Sequence, residues 1–346
     1  MKLKSIKLEN FRNYSQVEHQ FHKDIVVISG DNGVGKTNLL EAVYYLSNLR
    51  SFRSPDKLLV KTQEDYFKIG GQAEENFLET GFQIRPSIKR SYLRDGIKIK
   101  KLDWKTYRTV LFVPEDLNLF IQGPSLRRKY LNEAVLAIDR VYGADLVNLD
   151  HILKQRSSLL LQILERTAKR EDLEYWNQRL AEVSLRIFFK RGAFISFLNL
   201  NFSEKYQVIT TFTSRFEIKY FGISVNSPVE FLEKLKSYED AEIRTGQNLY
   251  GPHRDDFEVI KDSVLNIHNS SSGELRSQVV ALKLLQAEYI SQHGPKPIML
   301  LDDVYSELDR KRKEALTASL KDYQIFITTF DKEKFFPNQE FQSIEL

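Results

Sequence analysis

The sequence predicts an α/β protein whose two ends form one phosphate-binding domain and whose middle forms an inserted, mainly helical lobe. Three observations support this fold class. Residues 30–37 match the P-loop pattern G-x-x-x-x-G-K-[ST] between an apolar run and a segment with helical spacing. Residues 297–303 form a second apolar run, which ends in two acidic residues. Between these motifs, apolar residues recur at the spacing of packed helices.

The first motif has the neighbours that a phosphate-binding loop requires. Residues 25–28 read as a buried strand, and residues 38–46 carry apolar side chains at helical spacing. Glycines in the loop let backbone N–H groups surround phosphate oxygens at the positive end of the following helix. We therefore expect ATP to contact Gly30, Asp31, Asn32, Gly33, Val34, Gly35, Lys36 and Thr37. An ordinary glycine turn is the alternative interpretation.

Four residues of the two motifs have predicted roles in catalysis and metal binding. Lys36 would neutralise charge on the β- and γ-phosphates as a catalytic residue, and the Thr37 hydroxyl would ligate Mg²⁺. In P-loop ATPases an acid after a second buried strand also holds Mg²⁺, and Asp302 occupies that position. Asp303 would orient the water that attacks the γ-phosphate. Taken alone, the two acids also fit a helix-capping loop, but the P-loop favours the metal site.

A third motif lies in residues 270–277, between the first two. A Ser-x-Gly-[Gln/Glu] turn that opens a helix resembles the signature motif of ABC ATPases, which contacts the γ-phosphate bound to another subunit. Ser271 and Gly273 are therefore predicted nucleotide contacts, and an ATP-dependent homodimer is expected. A capping box between Ser271 and Glu274 fits the same residues, and both interpretations can hold together. Residues 306–309 resemble the D-loop of the same ATPases.

Apolar residues at a/d spacing predict two antiparallel helices in the inserted lobe. The first set is interrupted by Arg156 and the second by Lys190, and a polar segment at 166–172 separates them. The second helix should extend for about 30 residues, or roughly 45 Å. We predict a composite head from residues 1–120 and 245–346 and a helical lobe from residues 121–244. The 266 positions between Lys36 of the P-loop and Asp302 leave room for this lobe.

Composition restricts the functional classes. With no cysteine, the chain has no disulfide framework, thiolate nucleophile or cysteine-based zinc site. No apolar run approaches the length of a transmembrane helix, and the first nine residues alternate like a strand rather than forming a signal-peptide core. These features predict a cytoplasmic protein with no membrane association. The formal net charge of +4 is modest, so a nucleic-acid site requires local clustering of basic residues.

Such a cluster occurs in residues 85–108, where nine basic residues oppose two acidic ones, a local balance of +7. Asp95 and Gly96 favour a tight turn between two short strands, so the segment reads as a hairpin. Four of its cations are the predicted DNA contacts: Lys89, Arg90, Lys98 and Lys100. A solvated charged face is the alternative. Weaker candidates for the same DNA surface follow the P-loop helix: Arg53, Lys57 and Lys61.

Six segments together resemble the RecF family of bacterial recombination mediators, which are relatives of SMC proteins. They are residues 9–14 (ENFRNY), 50–53 (RSFR), 111–117 (LFVPEDL), 123–128 (GPSLRR), 250–256 (YGPHRDD) and 300–309 (LLDDVYSELD). The resemblance covers nearly the whole chain. Three departures from the family pattern are Glu274 where Gln is usual, Asn132 where an acid often follows paired arginines, and the absence of a switch histidine in residues 328–330.

The resemblance implies an ABC-type, SMC-like P-loop ATPase head with an inserted helical lobe. It implies that Arg12 and Asn13 contact the nucleotide. It also implies ATP-gated dimerisation on duplex DNA near single-stranded gaps, weak DNA-dependent ATP hydrolysis for release, and support of RecA loading together with RecO and RecR.

Two other functions remain open at this point. The chain could be the ATPase subunit of another ABC or SMC-like assembly, but the long separation of its ATP motifs and the basic hairpin argue against a transporter. It could also be a P-loop nuclease, which would need a second cluster of carboxylates. Asp255 and Asp256 are the place where such a cluster would be expected.

Overall fold

The computed structural model describes residues 2–104, 106–330 and 340–346. The chain divides into two compact units. The first comprises Met1–Leu117, Val208–Thr210 and Gln286–Leu346, and the second comprises Asn118–Gln207 and Thr211–Leu285. The second unit thus includes residues 245–285, which the sequence-based boundary placed in the head.

The described strands and helices are as follows. The strands are β1 (Ser5–Phe11), β2 (Tyr14–Gln20), β3 (Ile25–Ser29), β4 (Tyr66–Ala73), β5 (Asn76–Gln83), β6 (Lys89–Arg94), β7 (Ile97–Lys98), β8 (Thr109–Phe112), β9 (Phe216–Phe221), β10 (Asp256–Lys261), β11 (Val264–Leu265), β12 (Ile298–Asp302), β13 (Ile325–Thr329) and β14 (Gln342–Glu345). The α-helices are α1 (Lys36–Asn48), α2 (Pro124–Ile138), α3 (Arg140–Leu164), α4 (Glu174–Thr210), α5 (Pro228–Lys236), α6 (Glu239–Thr245), α7 (Ser272–Gln292) and α8 (Arg310–Ser319).

A parallel sheet carries the P-loop in the first unit. Its strand order is β14-β3-β13-β12-β8, and every neighbouring pair is parallel. All five residues of β3 and of β12 are buried, as expected for strands covered on both faces. Because β3 and β12 run in the same direction, the P-loop after β3 and the acids at the end of β12 emerge at the same edge of the sheet.

An antiparallel sheet completes the first unit. Its strand order is β2-β1-β4-β5-β6-β7. Helix α1 packs between this sheet and the parallel one, and its apolar residues join both in one core. The ring of Tyr45 on α1 contacts Phe67 on β4 with centroids 5.3 Å apart. The P-loop helix is therefore fixed by packing on two sides.

The second unit is mainly helical and contains one small sheet. Strand β10 pairs with β9 and β11, which connects residues 256–261 to residues 216–221. This pairing is the physical reason that residues near 256 belong to the second unit. Helices α3 and α4 run antiparallel, because Arg156 bonds to Asn177 whereas Asp145 bonds to Arg186. Helix α4 has 37 residues, longer than the sequence pattern indicated.

The two charged residues that interrupt the apolar pattern have partners. Arg156 is 1% exposed in its side chain and donates to Glu242, which is fully buried, at 2.7 Å. Lys190 bonds to Asp139 at 2.7 Å, and Asp139 also caps the start of α3. Both interruptions are thus stabilised by ion pairs.

Across residues 2–104, 106–330 and 340–346, no helix is both long enough and apolar enough to cross a membrane.

Candidate nucleotide-binding site

The loop between β3 and α1 makes close backbone approaches that require glycine. A Cβ atom on Gly30 would lie 2.5 Å from the carbonyl oxygen of Leu346, and one on Gly35 would lie 2.7 Å from Nδ2 of Asn13. Both glycines also have positive φ angles, 145° and 120°. The loop conformation therefore depends on these two positions. Asp31, Asn32 and Gly33 at the loop tip are exposed.

Lys36 and Thr37 begin helix α1 and point to different partners. The Lys36 ammonium donates to the carbonyl oxygens of Gly30 at 2.7 Å and Asp31 at 2.9 Å, which holds it over the loop. Thr37 Oγ1 donates to Asp302 Oδ1 at 2.8 Å. The structure thus brings together the two residues predicted to hold the metal, although 265 positions separate them in the chain.

Asp302 is buried at the end of β12. Burial raises its pKa, and hydrogen bonds from Thr328 and Thr37 oppose that rise. Thr328 Oγ1 donates to Asp302 at 2.8 Å and accepts the backbone N–H of Asp303 at 2.9 Å. Thr328 therefore fixes both acids, a role that the sequence analysis did not assign. Asp303 has a φ angle of 51° and lines the same cavity as Lys36.

Two adjoining cavities lie at this edge of the first unit. The smaller, of about 240 Å³, is lined by P-loop residues together with Asp303 and Thr328. The larger, of about 630 Å³, is lined by residues that include Arg12, Asn13 and Ser54. Asn38 and Arg53 line both cavities. The arrangement suits a ligand with an anionic group in one cavity and a larger body in the other.

The turn between β1 and β2 supports the P-loop. Asn13 donates from Nδ2 to the carbonyl oxygen of Val34 at 2.9 Å and accepts from Asn38 at 2.8 Å. The hydroxyl of Tyr14 donates to the carbonyl oxygen of Gly35 at 3.1 Å. Burial raises the pKa of Tyr14 to about 12, so this donor keeps its proton at neutral pH. Asn13 thus contacts the predicted nucleotide site. Tyr14 also supports this site, although no role was predicted for it from the sequence.

A buried carboxylate on the P-loop helix holds the two arginines at the cavities. Glu41 accepts from Arg12 Nε and Nη2 at 2.9 Å, from Arg53 Nη2 at 2.6 Å and from Ser51 Oγ at 2.5 Å. Burial alone would raise the pKa of Glu41, but the bonds from Arg12, Arg53 and Ser51 lower it below its usual range. Arg53 therefore belongs to the cavity region, whereas the sequence analysis considered it for the DNA surface.

The signature segment lies in the second unit and forms the predicted capping box. Ser271 Oγ accepts the N–H of Glu274 at 3.3 Å, and a Glu274 carboxylate oxygen accepts the N–H of Ser271 at 2.9 Å. The Ser271 hydroxyl also donates to Glu274 at 2.9 Å. Gly273 lies in the first turn of α7, where its carbonyl oxygen accepts from Ser277.

The predicted basic hairpin is present as β6 and β7 with Asp95 and Gly96 in its turn. Its cations do not share one environment. Lys89 and Lys98 lie on the same face of the sheet by the pairing register, and Lys100 follows two residues later. All three are exposed, and no ion pair joins them to another described residue. Arg90 faces the other way and donates to Asp56 at 3.0 and 2.8 Å.

The acids considered for a nuclease are engaged in ion pairs of the second unit. Asp255 binds Arg191 at 2.8 Å, and both side chains are 2% exposed. Asp256 binds Arg127 at 2.6 Å. Over the described part of the chain, no group of three or more His, Cys, Asp or Glu side chains could hold a metal ion. Asp255 and Asp256 therefore act as partners of buried or half-buried arginines rather than as part of a carboxylate cluster.

Comparisons with known proteins define the class first. The family described as RecF/RecN/SMC N terminal domain matches residues 2–345. The Smc head bound to the C-winged helix domain of ScpA superposes with a TM-score of 0.55 at 14% identity, covering 99% of this chain and 94% of the other. The fold is therefore that of an SMC-like ABC ATPase head with an inserted lobe, which confirms the predicted fold class.

Closer relatives then define the family. The DNA replication and repair protein RecF of Ruminiclostridium cellulolyticum is 34% identical over 97% of this chain and 94% of the relative. That of Staphylococcus carnosus is 33% identical over 96% and 94%. The recombination mediator protein RecF-ATPrS in the RecFOR pathway superposes with a TM-score of 0.90 at 32% identity, covering 100% of this chain and 96% of the other. The chain belongs to the RecF family.

Proposed function

We propose that the protein is an ATP-gated, DNA-binding recombination mediator that acts in gap repair. The observation that carries the proposal is the Thr37–Asp302 contact beside a P-loop cavity that adjoins a second cavity. A solved RecF-ATP structure that is 32% identical to this chain also supports it. The triphosphate would occupy the smaller cavity, and the base and ribose would occupy the larger one.

The chain's own residues suit this ligand. The Lys36 ammonium would exchange its bonds to loop carbonyl oxygens for bonds to phosphate oxygens. Asn13 would act mainly by holding the P-loop, because its amide already bonds to Val34. Arg12 borders the larger cavity with its guanidinium fixed by Glu41, so it would face the nucleotide without needing to reorient.

The residues present also fit Mg²⁺. Thr37 and Asp302 supply hard oxygen ligands, and the raised pKa of Asp302 reflects a buried carboxylate that a cation would stabilise in its charged form. When bound, Mg²⁺ would neutralise charge on the phosphates. Asp303 would hold the attacking water from the cavity wall, and slow hydrolysis would release the complex.

We further propose that two chains enclose two ATP molecules. Ser271 and Gly273 lie at the start of α7, and the positive end of this helix together with the Ser271 hydroxyl suits the γ-phosphate bound to a second copy. The capping box is compatible with this role because the Ser271 hydroxyl can rotate from Glu274 to a phosphate oxygen.

Replacing Ser271 with Arg tests the arrangement. The bulky side chain would block docking of the other copy's γ-phosphate, so monomers should bind ATP but fail to associate. Sedimentation velocity with ATP and Mg²⁺ measures the dimer. Ser237→Arg, at the exposed end of α5, adds the same side chain away from the signature and should dimerise normally. A normal ATP-dependent dimer of Ser271→Arg would leave only the capping role.

We propose that DNA binds through the exposed lysines of the hairpin, Lys89, Lys98 and Lys100. Arg90 has a structural role instead, because its charge is taken up by Asp56 and it packs over the Phe82 ring at 5.2 Å. Duplex DNA near single-stranded gaps, RecO, RecR and RecA are the proposed partners from family membership.

Replacing Lys89, Lys98 and Lys100 with Ala should weaken duplex binding with little dependence on sequence. If all three contact phosphates, the slope of log K against log salt should flatten by about 2.7, and duplex stimulation of ATP turnover should fall. The control Lys219, Lys234 and Lys236→Ala removes the same charge from exposed sites of the second unit. An unchanged slope in the folded hairpin variant would assign these lysines to protection of a sheet edge.

A further inference from the structure

The signature turn carries a negative charge close to where a triphosphate would dock. Glu274 is the third residue of α7, and one of its carboxylate oxygens accepts from both the N–H and the hydroxyl of Ser271 at 2.9 Å. A carboxylate here would repel a phosphate anion that approaches Ser271. Docking of a second copy's nucleotide therefore requires that the charge of Glu274 be balanced.

A lysine from the neighbouring sheet supplies that balance. Lys261, the last residue of β10, places its ammonium 2.5 Å from the other carboxylate oxygen of Glu274. Its side chain is only 9% exposed. The same ammonium donates to the carbonyl oxygen of Asn269 at 3.4 Å, so it also contacts the loop that precedes Ser271. Hydrogen bonds from Lys261 and then from Ser271 lower the pKa of Glu274, which is therefore ionised at neutral pH.

We infer that Lys261 is a positioning residue that neutralises Glu274 and holds the signature turn so that Ser271 can receive the triphosphate bound to a second copy. The inference rests on the proposed ATP-dependent dimer. It accounts for an acid at a position where the sequence resemblance leads us to expect Gln. With Gln, no charge would need balancing; with Glu, the buried ammonium makes the pair neutral, and Glu274 still completes the capping box.

The alternative is that the ion pair only stabilises the second unit. The two explanations differ when Glu274 is changed to Gln, which retains the cap without the charge. If the pair is purely structural, losing either partner should lower the free energy of unfolding of the ATP-free monomer, which urea denaturation measures, because the remaining charge is left unpaired. If Lys261 acts by charge, removing the lysine should be harmful only while Glu274 is present.

The experiment measures the ATP-dependent dimerisation constant by sedimentation equilibrium with ATP and Mg²⁺. Lys261→Met should weaken the dimer about tenfold or more, which is the scale of one uncompensated charge at an interface. Glu274→Gln should dimerise at least as tightly as the parent, and the double variant should match Glu274→Gln. The defect of Lys261→Met should shrink as salt rises. Lys219→Met, which removes an exposed charge from the adjacent strand β9, is the control.

The outcomes separate this inference from the proposed function. If the parent does not dimerise with ATP, the proposed function fails. If the parent dimerises and Lys261→Met does so as tightly, or the double variant stays as weak as Lys261→Met, the charge role of Lys261 is wrong. Lys261→Gln keeps a hydrogen-bond donor without the charge and gives the same comparison if the Met variant does not fold. The ATP affinity of each monomeric variant should equal that of the parent, which shows that the P-loop of the first unit is intact.

Discussion

Replacing Asp303 with Asn is expected to slow ATP hydrolysis by about 10²-fold or more while ATP binding persists. The amide cannot accept a proton from the attacking water, so the nucleophile would be poorly oriented. The backbone should not change, because Asn tolerates the positive φ angle of 51° at this position and the N–H bond to Thr328 remains. The ATP-bound dimer should therefore accumulate, and phosphate release in single-turnover conditions measures the rate.

Lys36→Met provides the contrasting control for this result. Loss of the ammonium should remove ATP binding itself and with it the dimer, so the two variants should fail at different steps. Hydrolysis by Asp303→Asn at the parental rate would show that another group orients the water. Loss of ATP binding in that variant would instead indicate that Asp303 contributes to the phosphate site directly.

Replacing Arg156 with Met is expected to lower the free energy of unfolding by about 3–5 kcal/mol. Arg156 and Glu242 are buried side chains, 1% and 0% exposed, and removal of the guanidinium leaves a carboxylate without its cation. Asn177 and Asn248 would also lose a donor. Urea denaturation monitored by circular dichroism measures the change.

Lys154→Met is the matched control for Arg156→Met. It lies two residues earlier on α3, and its pair with Asp150 is largely exposed, 72% and 65%. Exposed pairs of this kind contribute about 0.3–0.5 kcal/mol, so the control should unfold almost like the parent. Equal stability of the two variants would mean that Glu242 finds other partners or takes up a proton at little cost.

The P-loop and the acids after β12 could be predicted because their chemistry requires particular residues next to particular elements. Lys36 begins the helix after β3, Asp302 is the last residue of β12, and both strands are recognisable from their apolar runs. The hairpin was equally readable, because Asp95 and Gly96 adopt the positive φ angles of 50° and 77° that a tight turn requires. These features depend on short-range sequence.

Features that depend on distant partners could not be predicted. Glu41 reads as one more polar residue of an amphipathic helix, yet it binds Arg12 from 29 positions earlier. Arg156 reads as an interruption of an apolar stripe, but its partner lies 86 positions later. Arg90 looked like its neighbours until the register placed it on the opposite sheet face, beside Asp56. Only the tertiary structure shows that these three charged residues have distant ion-pair partners.

The position of β3 in its sheet has a consequence for synthesis of the protein. This strand, with all five residues buried, pairs on one side with β13 and on the other with β14. Both partners emerge from the ribosome some 300 residues after β3, since β13 begins at Ile325. The native partners of this apolar strand are thus not yet synthesised while the second unit is translated. The sheet that carries the nucleotide site therefore depends on long-range strand pairing, a kind of contact that generally forms slowly and leaves apolar strands exposed during folding.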